Sequence, residues 1–160
     1  MKIRVVVDAN IIISAFLGGK PRFLLFDPKF EFVTSEFTLK EIKKYISFIS
    51  KKSGVPEKEI KKGITLLPLR IISRSYYKSY LERAKSLIGK IDKDDIDILA
   101  LYLKENTFLW SEDKDFEKVK TKINTKRIFF INPILFGETF FAIYSRYLFT
   151  SITNFPPFFL

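Results

Sequence analysis

The run Lys2-Ile-Arg-Val-Val-Val-Asp8 constrains the fold of this chain more than any other segment. It is short, β-branched and charged only at its edges, which is how a strand buried on both faces of a parallel sheet reads. Parallel strands need crossovers, and the rest of the sequence supplies them. Residues 11–17 can form a helix, with Gly18-Gly19 ending it and Pro21 opening the next. Residues 30–34 read as a second strand. The spacing of Leu39, Ile42, Tyr45, Ile46 and Ile49 predicts one helix over 35–52, closed by Ser53-Gly54. A lysine-rich helix at 56–63, a third strand at 67–73 and an amphipathic helix at 76–88 come next. A helix at 94–106, a fourth strand at 107–111, a short helix at 114–120 and a fifth strand at 127–131 complete the pattern. Strands alternating with helices predict an α/β fold around a parallel sheet of about five strands. The 160 residues divide into one domain, 1–132, and an aromatic-rich extension, 133–160.

Two absences decide the available chemistry. The chain has no cysteine, which removes disulfides, thiolate metal sites and thiol nucleophiles. It has no histidine, so no imidazole base and no imidazole ligand. Any acid–base or metal chemistry must come from carboxylates, lysine, tyrosine or water. Charge points the same way: 28 Lys and Arg against 18 Asp and Glu leave a net +10, which favours an anionic partner. No secretory signal follows Met1, and the uncharged stretch 147–160 is too short for a membrane helix and holds Pro156-Pro157. A cytoplasmic protein with no membrane partner is expected.

In open α/β sheets ligands bind beyond the carboxyl ends of the strands. Asp8 ends the first strand. Asp113 follows the fourth by two residues, flanked by Ser111 and Asp115. Asp95 stands at the start of the 94–106 helix, beside Asp92, Asp94 and Asp97. Glu41 falls in the first turns after the second strand. Each acid has an ordinary role open to it: Asp94 and Asp8 as helix caps, Glu41 as a solvated helix residue. Several carboxylates in one cleft repel one another unless a cation neutralises them. With oxygen ligands alone, that cation would be Mg²⁺ or Mn²⁺.

Four motifs occur in order: Val5-Val-Val-Asp8-Ala-Asn10-Ile-Ile-Ile-Ser14, Thr38-Leu-Lys-Glu41-Ile, Asp94-Asp95-Ile-Asp-Ile-Leu-Ala100-Leu101 and Leu109-Trp-Ser111-Glu-Asp113-Lys-Asp115-Phe116. From Lys2 to Ile131 this set resembles the PIN-domain family of metal-dependent ribonucleases, which includes many toxin–antitoxin toxins. The resemblance implies a three-layer α/β/α sandwich. It also implies an endoribonuclease with four acids, Asp8, Glu41, Asp95 and Asp113, of which Asp8, Asp95 and Asp113 would hold Mg²⁺ or Mn²⁺. Asn10 and Ser111 fall on supporting positions and Asp115 on an accessory acid. Asp94 and Asp97 compete with Asp95 for the third place. The implied partners are single-stranded RNA and an antitoxin protein.

Other readings meet obstacles. A haloacid-dehalogenase-type phosphatase needs a second Asp where this chain has Asn10, and a Rossmann binder needs a Gly-rich turn that 8–14 lacks. A PIN-like module that binds nucleic acid or protein without cutting is the alternative function. Lys43, Lys44, Lys51 and Lys52, or Lys114, Lys118 and Lys120, could hold a phosphate backbone. Trp110, inside a strand, is expected in the core and not on a base. The extension, with Phe140, Phe141, Tyr144, Tyr147, Phe149, Phe155, Phe158 and Phe159, is expected to pack on a second subunit, giving a homo-oligomer.

Overall fold

Three consecutive valines show how the sheet divides its core. In a strand, successive side chains point to opposite faces. In β1 (Ile3–Val7) Val5 and Val7 join one buried apolar cluster and Val6 the other. The same alternation holds for Phe32 and Val33 in β2 (Phe30–Ser35), and for Trp110 and Leu109 in β4 (Phe108–Trp110). The computed structural model describes residues 2–123 and the strand β5 (Ile128–Phe129). With β3 (Leu69–Ile72), these make a five-stranded, all-parallel sheet in the order β3-β2-β1-β4-β5.

Helices cover both faces. The Val5 and Val7 side carries α1 (Ala9–Phe16), α2 (Pro21–Leu24), α3 (Glu36–Lys44), α4 (Ile46–Ser53) and α5 (Glu57–Leu66). The Val6 side carries α6 (Arg74–Tyr77), α7 (Leu81–Ile88), α8 (Ile96–Glu105) and α9 (Asp115–Lys122). The chain is therefore a three-layer α/β/α sandwich. It builds outward from β1 to β3, then crosses back to lay β4 on the other side of β1. That reversal leaves a switch point between β1 and β4, the place where open α/β sheets bind ligands, beyond the carboxyl ends of the strands.

Two expectations need correction. The helix predicted over 35–52 is two helices, because the Tyr45 N–H bonds the Ile42 carbonyl, three residues back instead of four, and tightens the turn. The helix predicted over 76–88 is α6, a 3-10 turn at Lys78–Tyr80 and then α7. The end of α4 follows expectation: Gly54 takes φ 73°, the left-handed conformation that closes helices. Trp110 is buried and packs on Phe32, with ring centroids 5.9 Å apart, so it belongs to the core. Among the described residues no helix is long and apolar enough to cross a membrane. The extension 133–160, with its expected role in oligomerisation, lies outside the described residues.

Candidate active site

The switch point is held by side chains from both of its strands. Asp8 leaves β1 and caps α1, its Oδ1 accepting the Ala9 N–H at 2.7 Å. The helix-cap role is thus real, and it occupies one oxygen. Oδ2 accepts the Ser111 hydroxyl at 2.6 Å and the Asn10 amide at 2.9 Å. Ser111, just beyond β4, in turn accepts from Asn10 at 3.2 Å and from the Asp113 N–H at 3.0 Å. Asn10 Oδ1 takes the Glu112 N–H at 3.2 Å. Asp113 Oδ1 accepts the Asp115 N–H at 2.8 Å, and Asp115 pairs with Lys118 at 3.0 Å. Asn10 and Ser111 therefore staple the start of α1 to the loop after β4.

A second group of acids comes from the helices. Glu41 lies on α3 and is partly buried. Asp95 occupies the N-cap position of α8, where Asp94 was one candidate, but makes no side-chain cap bond. Its Oδ2 is buried without a hydrogen-bond partner. Burial raises the Asp95 carboxyl to about 8, with Asp8, Asp113, Asp92 and Glu41 adding repulsion. Burial and then Asp8 and Asp94 raise Glu41 to about 7, against the opposing charge of Lys44. Burial also brings Asp8 to about 6, although its hydrogen bonds from Ser111 and Ala9 pull the other way. Asp95 thus lies in the field of Asp8, Glu41 and Asp113, which come from three other segments of the chain.

The three acids at the start of α8 separate cleanly. Asp94 is exposed, its N–H bonded to Asp92 Oδ1 at 2.7 Å. Asp97 is buried and committed elsewhere: Oδ1 accepts the Tyr77 hydroxyl at 2.9 Å and pairs with Arg74 at 3.0 Å. Asp95 is the one of the three with a buried, partnerless oxygen, and other acids act on its carboxyl.

Three polar residues had no role in the sequence reading. The Thr34 hydroxyl donates to the Val7 carbonyl at 2.7 Å, tying β2 to the residue before Asp8. Ser35 caps α3 by accepting the Thr38 N–H at 2.9 Å, and its hydroxyl meets that of Thr38 at 2.8 Å. All three are buried and fix where α3, and hence Glu41, begins. A serine between an apolar strand and a helical run is a cap signal, which could have identified Ser35.

As placed, no group of three or more acidic side chains among the described residues forms a ready metal site. The residues nonetheless fit a hard cation. The donors are all oxygen, they repel one another, and a buried oxygen of Asp95 has no partner. Mg²⁺ keeps several waters and needs only one or two direct carboxylates.

A layered α/β/α domain with acids gathered at its switch point is the class that this fold and site define. The PIN-domain profile matches residues 6–131, and the chain belongs to the PIN-domain family, whose members are usually nucleases. Among solved structures, VapBC2 from Rickettsia felis, bound to a DNA fragment from its promoter, is similar with a TM-score of 0.56 at 19% identity. The match covers 73% of this chain and 93% of that one. A toxin–antitoxin complex from Klebsiella pneumoniae gives a TM-score of 0.55 at 19% identity, covering 79% and 99%. At this identity the likeness shows the fold. No curated protein matches the sequence.

Proposed function

We propose that this protein is a Mg²⁺- or Mn²⁺-dependent endoribonuclease that hydrolyses RNA phosphodiester bonds at Asp8, Glu41, Asp95 and Asp113. One observation carries the reading: a buried, partnerless Asp95 oxygen within the field of three other acids from distant parts of the chain. Such an arrangement has little structural use, since each buried carboxylate opposes the others. Asp8, Asp95 and Asp113 would hold the cation. When bound, the ion supplies positive charge against the scissile phosphate and makes nearby water more acidic. Asn10 and Ser111 keep Asp8 in a single orientation, and Asp115 fixes Asp113 through its N–H. Glu41, whose carboxyl burial and then Asp8 push upward, would exchange a proton with attacking water. The net charge of +10 supports an RNA substrate.

The VapBC-like neighbours support a toxin restrained by an antitoxin as the biological setting. The test is cleavage of a labelled single-stranded RNA with Mn²⁺, with Mg²⁺ and with EDTA, using Asp8→Asn as control. Cleavage that needs both metal and Asp8 is expected. RNA bound but uncut in every condition would overturn the enzyme in favour of a binding module.

A further inference from the structure

The stretch 43–52 reads Lys-Lys-Tyr-Ile-Ser-Phe-Ile-Ser-Lys-Lys and contains no acid. Ile46 and Ile49 are buried, so α4 turns that side to the core. Tyr45 and Phe48 stay outside, 43% and 46% exposed. Residues three or four apart on a helix are surface neighbours, and Tyr45, Phe48, Lys51 and Lys52 follow that spacing. At the other end Lys44 follows Glu41 by three residues on α3 and lies within its electrostatic reach. The surface thus runs from the acidic site over one lysine and two rings to two more lysines.

We infer that this face is the track for single-stranded RNA at the acidic site, with bases stacked on Tyr45 and Phe48 and phosphates against Lys44, Lys51 and Lys52. The inference rests on the ribonuclease reading and adds the surface along which the strand lies. Exposed rings between cations match a single strand, whose unpaired bases offer flat faces while its backbone carries regular negative charge. A duplex keeps its bases stacked on each other and cannot use the rings. Charge argues for RNA over a second copy of this chain, which would set one basic face against a body of net +10. Glu57, on the neighbouring α5, is engaged by Ser47 and by Lys61, and Lys51 also lies within its electrostatic reach.

Binding is measured in EDTA, where no cleavage occurs, by fluorescence anisotropy of a labelled RNA oligonucleotide and its duplex. The native protein should bind the single strand more tightly. Tyr45→Ser with Phe48→Ser should weaken single-strand binding by roughly tenfold or more, leaving duplex binding and the salt dependence unchanged. Lys44→Ala and Lys52→Ala should each lower the slope of log affinity against log salt by about 0.7. Tyr45→Phe, which keeps the ring, should restore most of the affinity lost on Tyr45→Ser. Thermal melting checks that these exposed substitutions leave the fold intact. Equal single-strand affinity for the native protein and the double variant would overturn the track. So would duplex binding as tight as single-strand binding. A double variant whose mass falls in light scattering while RNA affinity holds would assign the face to a protein contact instead. RNA bound as expected but never cut, with Mn²⁺ present, would remove the ribonuclease reading and leave the track standing.

Discussion

The two halves of the acidic site are built on opposite terms. At the β1–β4 junction both oxygens of Asp8 are hydrogen-bonded, by a backbone amide, a hydroxyl and a side-chain amide. At the α3–α8 side, Asp95 has a buried oxygen with no partner, and Glu41 is disfavoured as an anion first by burial and then by Asp8 and Asp94. The first half keeps its geometry by itself. The second carries negative charge that nothing on the protein fully offsets, so an arriving cation has more to gain there. The same contrast recurs within α8, where Asp97, two residues beyond Asp95, is satisfied by Tyr77 and Arg74.

Substitutions can break this contrast, and the largest effect is expected on cleavage. Asp8→Asn and Asp113→Asn should each reduce cleavage by more than about a hundredfold, beyond the range typical of groups that merely support a metal site. Near-native cleavage by Asp8→Asn would refute the site. Ser111→Ala strips a partner from Asp8, Asn10 and the Asp113 N–H at once. It should cost about 1–3 kcal/mol, read as a lower Tm, and reduce cleavage roughly 10–100-fold.

Asp95→Asn against Asp97→Asn sharpens the comparison. The first should abolish cleavage while raising the Tm of the metal-free protein, because it replaces a carboxyl whose ionised form burial and neighbouring acids disfavour with a neutral amide. The second should lower the Tm, since it unpairs Arg74, and leave most cleavage in place. The reverse pattern would make Asp97 the third acid.

The last effect is a pH dependence. Asp8, Glu41 and Asp95 rise to about 6, 7 and 8 from ordinary values of 3.8, 4.5 and 3.8. Between those limits the native state holds more protons than the unfolded chain, so stability falls as pH rises. In EDTA the Tm should therefore be higher at pH 5 than at pH 8. Mn²⁺ should recover stability at pH 8 and do little at pH 5. A pH-independent Tm in EDTA, from 5 to 8, would count against a strained second half.

The sequence makes the sheet and the Asp8 half legible for the same reason. Buried parallel strands are written as unbroken apolar runs, and the acids at their ends follow from where those runs stop. The remainder depends on contacts between distant residues. Nothing in 94–97 distinguishes Asp95 from Asp97, because the difference is made by Tyr77, on another element. The break at Tyr45 is equally hidden, since 35–52 holds helix-compatible residues throughout and the turn is tightened by one hydrogen bond. Thr34 and Thr38 read as ordinary polar residues until the fold buries them.

The central place of β1 has a consequence for timing. Asp8 meets Ser111 across 103 residues of sequence, so the acids cannot assemble until nearly all of the described chain has been made. At roughly 5–20 residues per second of synthesis, the interval between Asp8 and Asp113 is on the order of 5–20 s. Throughout that interval a chain still on its ribosome lacks part of the cluster.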